Sequence, residues 1–209
     1  VAAQGLTVQH PEPGTDFTFG SGKFTVLSPQ SISSNDNDNS VAIRLENGNN
    51  HFLFTGDAES AGEEAICDLG LDLSCDVIVP GHHGSATATT WDLLQQTVPE
   101  YAVISCGAGN SYGHPHKDTM DKLADMGIQV FRTDEQGTVI AVSDGSNIRI
   151  PAHSLPPLIR IPVRPAMDLL IRLLQILRPE CRPIRSQWVI WSGSPLPEAS
   201  TTGSLTVEI

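Results

Sequence analysis

Three short clusters hold the side chains that metal and acid–base chemistry would need. The first, Phe54-Thr-Gly-Asp57-Ala-Glu59, sets an aspartate directly after an apolar run and a glycine. A carboxylate at such a strand end can offer one oxygen to each of two cations. Read alone, the same aspartate is more simply a turn residue that caps the next helix. The second cluster, Gly81-His82-His83-Gly84-Ser85, also follows an apolar run. Its glycines allow positive φ or close approach of the backbone to a ligand, and neutral imidazole is a common ligand of zinc and similar ions. Two adjacent histidines seldom point at one ion, so one is expected to ligate and the other to face substrate. The third, Tyr112-Gly-His114-Pro-His116-Lys-Asp118, begins like a metal-binding His-x-His-x-Asp-His run but has Thr119 in the last position. Asp118 is therefore expected to cap the following helix. His114 and His116 are expected to hydrogen-bond or protonate a phosphate oxygen or leaving group. A polar turn without chemistry is the competing reading of each cluster taken singly.

The elements that must position these groups follow from the hydrophobic pattern and the turn residues. Strands are expected at 24–27, 41–45, 52–55, 76–79, 101–105, 129–131, 138–142 and 148–150, and helices at 58–69, 90–98 and 118–126. Asn47-Gly48 and Asp144-Gly145 signal hairpin turns. Each cluster falls just after a strand, so all three can gather along one edge of an α/β domain with mixed strand directions. After Ile150 the character changes: nine of the fifteen prolines lie in 151–209. Residues 167–178 fit one amphipathic helix of about three turns, bracketed by Pro165 and Pro179. The expected division is a body over 1–150 and a Pro/Arg/Leu-rich tail over 151–209, irregular or helical. That tail reads either as a linker with a docking helix or as an out-of-frame continuation.

Charge is uneven. Residues 1–150 carry six Lys/Arg against twenty Asp/Glu, within a formal net charge of −12 for the whole chain. A body this acidic repels a nucleic-acid backbone unless metal ions or a local basic patch intervene; acidic surfaces are also ordinary on soluble proteins. The four cysteines (Cys67, Cys75, Cys106, Cys181) form no Cys-x-x-Cys pair, which argues against a zinc ribbon or redox motif. Buried free thiols are the simpler expectation, with a Cys67–Cys75 pair as the alternative. No basic-then-apolar leader opens the sequence and no apolar run approaches the roughly 18 residues of a membrane span. The opening reads as the middle of something longer.

Five motifs in order carry a family resemblance: the run from Asn35 to Leu45, Phe52 to Glu59, Gly81-His-His-Gly-Ser85, Tyr112-Gly-His-Pro-His116, and Phe131-Arg-Thr-Asp-Glu-Gln-Gly-Thr138. Over about residues 15–150 the chain resembles the metallo-hydrolase domain of ComEC-type competence proteins and their free-standing relatives. The resemblance implies a metallo-β-lactamase-like αββα sandwich with two divalent ions, zinc or manganese. It implies that Asp57 bridges the metals and that His83, with His82 as the alternative, completes the second site. His82 and His114 are then the candidate catalytic groups, and Ser85, His114 and His116 the candidate substrate contacts. The implied activity is hydrolysis of a phosphodiester, nucleic acid above all, in connection with DNA uptake.

The family's first half carries His-x-His-x-Asp-His and a further histidine, and none of the seven histidines here forms that signature. The chain is thus expected to be the second half of the sandwich, with the missing N-terminal half as its partner. Little or no activity is expected of it alone, because tight zinc sites need three or four protein ligands. A half-sandwich is also expected to bare an apolar sheet face and to be unstable, to aggregate or to dimerise. The rival function is a non-catalytic binding or scaffold module of the same fold. A serine hydrolase using Ser85 with His114 is disfavoured by the absence of a Gly-x-Ser-x-Gly elbow. The parent is expected to be extracytoplasmic or membrane-attached, or an exported soluble protein.

Overall fold

Apolar runs long enough to be buried on both faces sit at the centre of the chain, and they become the middle of a seven-stranded sheet. The computed structural model describes residues 10–151 and 204–209. Strands β1 (Asp16–Phe19), β2 (Gly22–Val26), β3 (Ile43–Asn47) and β4 (Asn50–Phe54) form an antiparallel meander. Gly48, at φ +58°, makes the tight β3–β4 turn that the Asn47-Gly48 pair signals. From β4 onward the pairing turns parallel through β5 (Val77–Val79), β6 (Tyr101–Ile104) and β7 (Gln129–Arg132). Helices α1 (Ser60–Cys67), α2 (Trp91–Thr97) and α3 (Lys117–Asp125) make the crossovers, as parallel pairing requires. The strand order equals the sequence order, and the mixed α/β character agrees with the sequence pattern.

Alternation divides the core in two. Leu53, Ile78, Ala102 and Ile104 pack with Ile66, Leu93, Leu94 and Leu123 on the helix side. Phe52, Val77 and Val103 point the other way. There they meet a second sheet of β8 (Ile140–Ser143), β9 (Ile148–Arg149) and β10 (Leu205–Glu208), ordered β10-β8-β9. Val139, Ala141, Leu205 and Val207 are buried against the larger sheet. The sheet face expected to lie bare is thus covered, and one covering strand comes from the end of the 151–209 tail. The helix expected at 167–178 lies outside the described residues.

Several local expectations are corrected. The N-cap of α3 is His116, not Asp118, which sits one step inside the first turn where an acid faces the positive helix end. Thr90 does cap α2, its hydroxyl accepting from the Leu93 N–H at 3.3 Å. Three short elements went unforeseen: β1, the four-residue α4 (Thr133–Gln136), and β10, a strand in a tail expected to be irregular or helical. Cys67, Cys75 and Cys106 are free thiols. Among the described residues, no helix is long and apolar enough to cross a membrane.

At the β3–β4 turn end a polar staple joins the two sheets. Asn47 donates to the Ser143 hydroxyl at 3.0 Å, that hydroxyl donates to Asn50 at 2.8 Å, and the Asn49 N–H reaches the Gly145 carbonyl at 2.8 Å. The opposite end, where β4, β5 and β6 all terminate, is left to the loops that carry the three clusters.

Candidate functional site

Parallel strands release their chains at one edge, and ligands of open α/β sheets bind outside those carboxyl ends. The loops after β4, β5 and β6 bring Asp57, Glu59, His82, His83, His114 and His116 to that edge. Close backbone approach holds the loops together. The His82 N–H donates to the Gly56 carbonyl at 3.0 Å, and a Cβ on Gly81 would stand 2.8 Å from the Ala58 carbonyl oxygen. His82 (φ 48°) and His83 (φ 59°) are both left-handed, a conformation that costs a non-glycine residue about 1–2 kcal/mol. Strain of this kind persists where surrounding contacts over-determine it.

Each imidazole is oriented by an identifiable partner. The His83 Nδ1 lies 2.7 Å from the Ser105 carbonyl. A carbonyl only accepts, so Nδ1 carries the proton and Nε2 faces the Asp57 carboxylate at 3.5 Å. The His82 Nδ1 donates to the Glu59 carboxylate at 3.0 Å. Glu59 also accepts from Asn35 at 2.9 Å, Asn37 at 3.4 Å and the Thr87 hydroxyl at 2.8 Å. The Asn35 and Thr87 bonds hold its carboxyl below the ordinary range.

His114 sits among the others. Its ring centroid is 5.6 Å from His82, 6.4 Å from His83, 4.8 Å from His116 and 5.7 Å from Tyr112. Burial, then the neighbouring imidazoles, push its pKa below the usual histidine value. Asn110 braces its backbone, accepting from the His114 N–H at 2.9 Å and donating to the His114 carbonyl at 2.6 Å.

The structure places two expected substrate contacts differently from the rest. His116 Nδ1 accepts from the Ala86 N–H at 2.9 Å, so its Nε2 donates to the Tyr112 carbonyl at 3.2 Å. Nδ1 therefore stitches the second loop to the third, and Nε2 closes the third loop on itself. Ser85 is buried, its hydroxyl bonded to Thr87 at 3.0 Å and its carbonyl accepting from Thr119 at 2.9 Å.

Sequence reasoning missed the supporting cast. Glu59 was visible as an acid at a helix start, but its partners come from two other loops. Buried Glu63 accepts from the Thr89 and Thr90 N–H groups at 2.7 Å each, tying α1 to the histidine loop. Burial raises its pKa. Thr133 holds the backbone of Cys106, accepting from its N–H at 2.9 Å and donating to its carbonyl at 2.8 Å, one residue beyond the carbonyl that orients His83. Nothing in the spacing of these residues signals the contacts.

No family model matches the chain. Curated proteins do. ComE operon protein 3 of Bacillus subtilis is 33% identical over 137 residues, covering 65% of this chain and 18% of that protein. Competence protein ComA of Neisseria gonorrhoeae is 38% identical over 105 residues, covering 50% of this chain and 15% of that one. Recombination protein 2 of Haemophilus influenzae is 38% identical over 112 residues, 53% and 14% respectively. The chain spans less than a fifth of the length of each. Over half to two thirds of its residues, the chain is a homologue, at moderate identity, of one segment of the competence proteins of the ComEC family.

Proposed function

We propose that this chain is part of a metal-dependent phosphodiesterase or nuclease with a metallo-β-lactamase-like sandwich, working in a DNA-uptake setting like that of its competence-protein relatives. The observation that carries the reading is the pairing of His83 Nε2 with Asp57 Oδ1 at 3.5 Å. Ligand atoms about 2.0–2.1 Å from a tetrahedral zinc stand roughly 3.4 Å from one another. The His83 ring is held through Nδ1 by a backbone carbonyl, the outer-shell arrangement that fixes a metal-ligating histidine. The pair fits a shared divalent ion, zinc or manganese, and a two-ion site would use Asp57 as its bridge.

Such a cation supplies Lewis-acid polarisation for attack on phosphorus. The chain's own groups supply position and protons. Glu59 holds His82 with Nδ1 protonated, leaving Nε2 as the basic nitrogen. His114, its ring 5.6 Å from His82 and 6.4 Å from His83 between centroids, is placed to donate a hydrogen bond to a phosphate oxygen.

Among the described residues, no group of three or more His, Cys, Asp or Glu is arranged to hold a metal ion. That observation favours a second reading, a non-catalytic module of the same ancestry. In the first reading the remaining ligands come from another segment of a longer protein. Zinc and manganese retained after dialysis, measured by mass spectrometry for the wild type, Asp57→Asn and His83→Ala, test the proposal. Retention that falls in both variants supports it; retention indifferent to both overturns it. Little hydrolysis of a chromogenic phosphodiester is expected of the chain alone.

A further inference from the structure

Tyr112 stands at the rim of this site with 77% of its surface exposed. One face of its ring is engaged: it lies 5.7 Å from the His114 ring at an interplanar angle of 25°, a stacked arrangement. Its backbone is fixed as well, because its carbonyl accepts from His116 Nε2 and Asn110 clamps the turn around His114. A large aromatic ring is thus held in a set orientation, in water, one stacking contact from the imidazole at the centre of the site.

The charged groups nearby are not built to grip a phosphate backbone. Lys117 is paired with Asp121, and Lys122 donates to the Ala88 carbonyl at 3.1 Å. Residues 1–150 have more than three acids for each base. Among the described residues, a strand entering this edge finds few basic side chains, so affinity from this part of the chain beyond the reacting phosphate must come from elsewhere. Base–aromatic stacking is the sequence-tolerant source of such affinity, and it requires an unpaired base.

We propose that Tyr112 is a stacking platform for an unpaired nucleobase beside the phosphodiester held at Asp57, His83 and His114. The placement of the phosphodiester rests on the function proposed above; the platform itself rests on the Tyr112–His114 geometry. With few basic contacts to phosphate, binding is expected to depend only shallowly on salt.

The test is fluorescence anisotropy of the whole chain, with zinc or manganese present, against a labelled short oligothymidylate and an abasic strand of equal length. The wild type should prefer the base-bearing strand. Tyr112→Ala should remove that preference, with a loss of about five- to a hundredfold, the span of stacking on one base. Tyr112→Phe should keep it. Oligodeoxy- and oligoribonucleotide versions separate the two sources of an unpaired base. Equal binding of the abasic strand, an unaltered Tyr112→Ala, or no binding of either strand overturns the platform. Asp57→Asn separates the two ideas. A Tyr112-dependent base preference that survives in it sustains the platform without the metal reading. Binding that falls equally for both strands in it, with no base preference in the wild type, sustains the metal reading alone.

Discussion

At the scale of single residues, the candidate ligand His83 depends on atoms two steps away. Thr133 pins the Cys106 backbone, and the adjacent Ser105 carbonyl sets the His83 ring. Thr133→Val should therefore weaken zinc binding, by less than the roughly ten- to a hundredfold that follows loss of a direct outer-shell partner, and Thr133→Ser should restore it; calorimetric titration reads both. An unchanged affinity in Thr133→Val would remove this chain of support. Asp134, one position on, gives a pH prediction. The Arg132 hydrogen bonds hold its carboxyl below the ordinary value of 3.8. Its contribution to stability is therefore complete above about pH 4 and is lost as pH falls through its lowered folded value. Acid unfolding followed by circular dichroism should show a shallower acid limb in Asp134→Asn, together with lower stability at neutral pH. An acid limb as steep as the wild type's would show that the Arg132–Asp134 pair is not what titrates.

Elements explain why some features were legible in the sequence and others not. The apolar runs of β4, β5 and β6 announced themselves because strands buried on both faces have no polar alternation. The chemical clusters were legible because each directly follows such a run. Glu59's role was hidden, since Asn35, Asn37 and Thr87 converge on it only after β3, β4 and β5 pair. The inward turns of Ser85 and His116 depend on loop conformation that residue type does not encode. β1 is four residues long and α4 is wholly polar, too little pattern for either period. The histidine loop itself relies on Gly84, at φ +79°, where a Cβ would stand 2.7 Å from the Pro115 Cβ and 3.2 Å from its Cα. Gly84→Ala should lower stability by about 2–4 kcal/mol through the left-handed backbone and the clash together. Gly127→Ala, also at positive φ but with nothing within 4 Å, should cost about 1–2 kcal/mol. Equal losses for the two in urea denaturation would show that loop packing at Gly84 is not tight.

For the molecule as a whole, the second sheet decides whether the larger one is covered. Leu205 and Val207 are 2% and 0% exposed, and each such burial contributes about 1.5–3 kcal/mol. Deleting residues 205–209 should remove about 3–6 kcal/mol and leave β8 unpaired on one side. Thermal melts should then shift strongly downward or lose cooperativity, with light scattering reporting association through the opened face. An unaltered melt would mean that β10 adds nothing to the fold. The same pairing has a consequence for biosynthesis. A ribosome delivers β8 and β9 early and β10 only after residues 150–204 have followed. Throughout that interval the nascent chain holds a two-stranded flap over the hydrophobic side of the large sheet, its outer edge open to chaperones or to another nascent copy. Covering of this face is therefore timed by the arrival of β10, and a chain stalled or released before it would leave the ribosome with the flap unfinished.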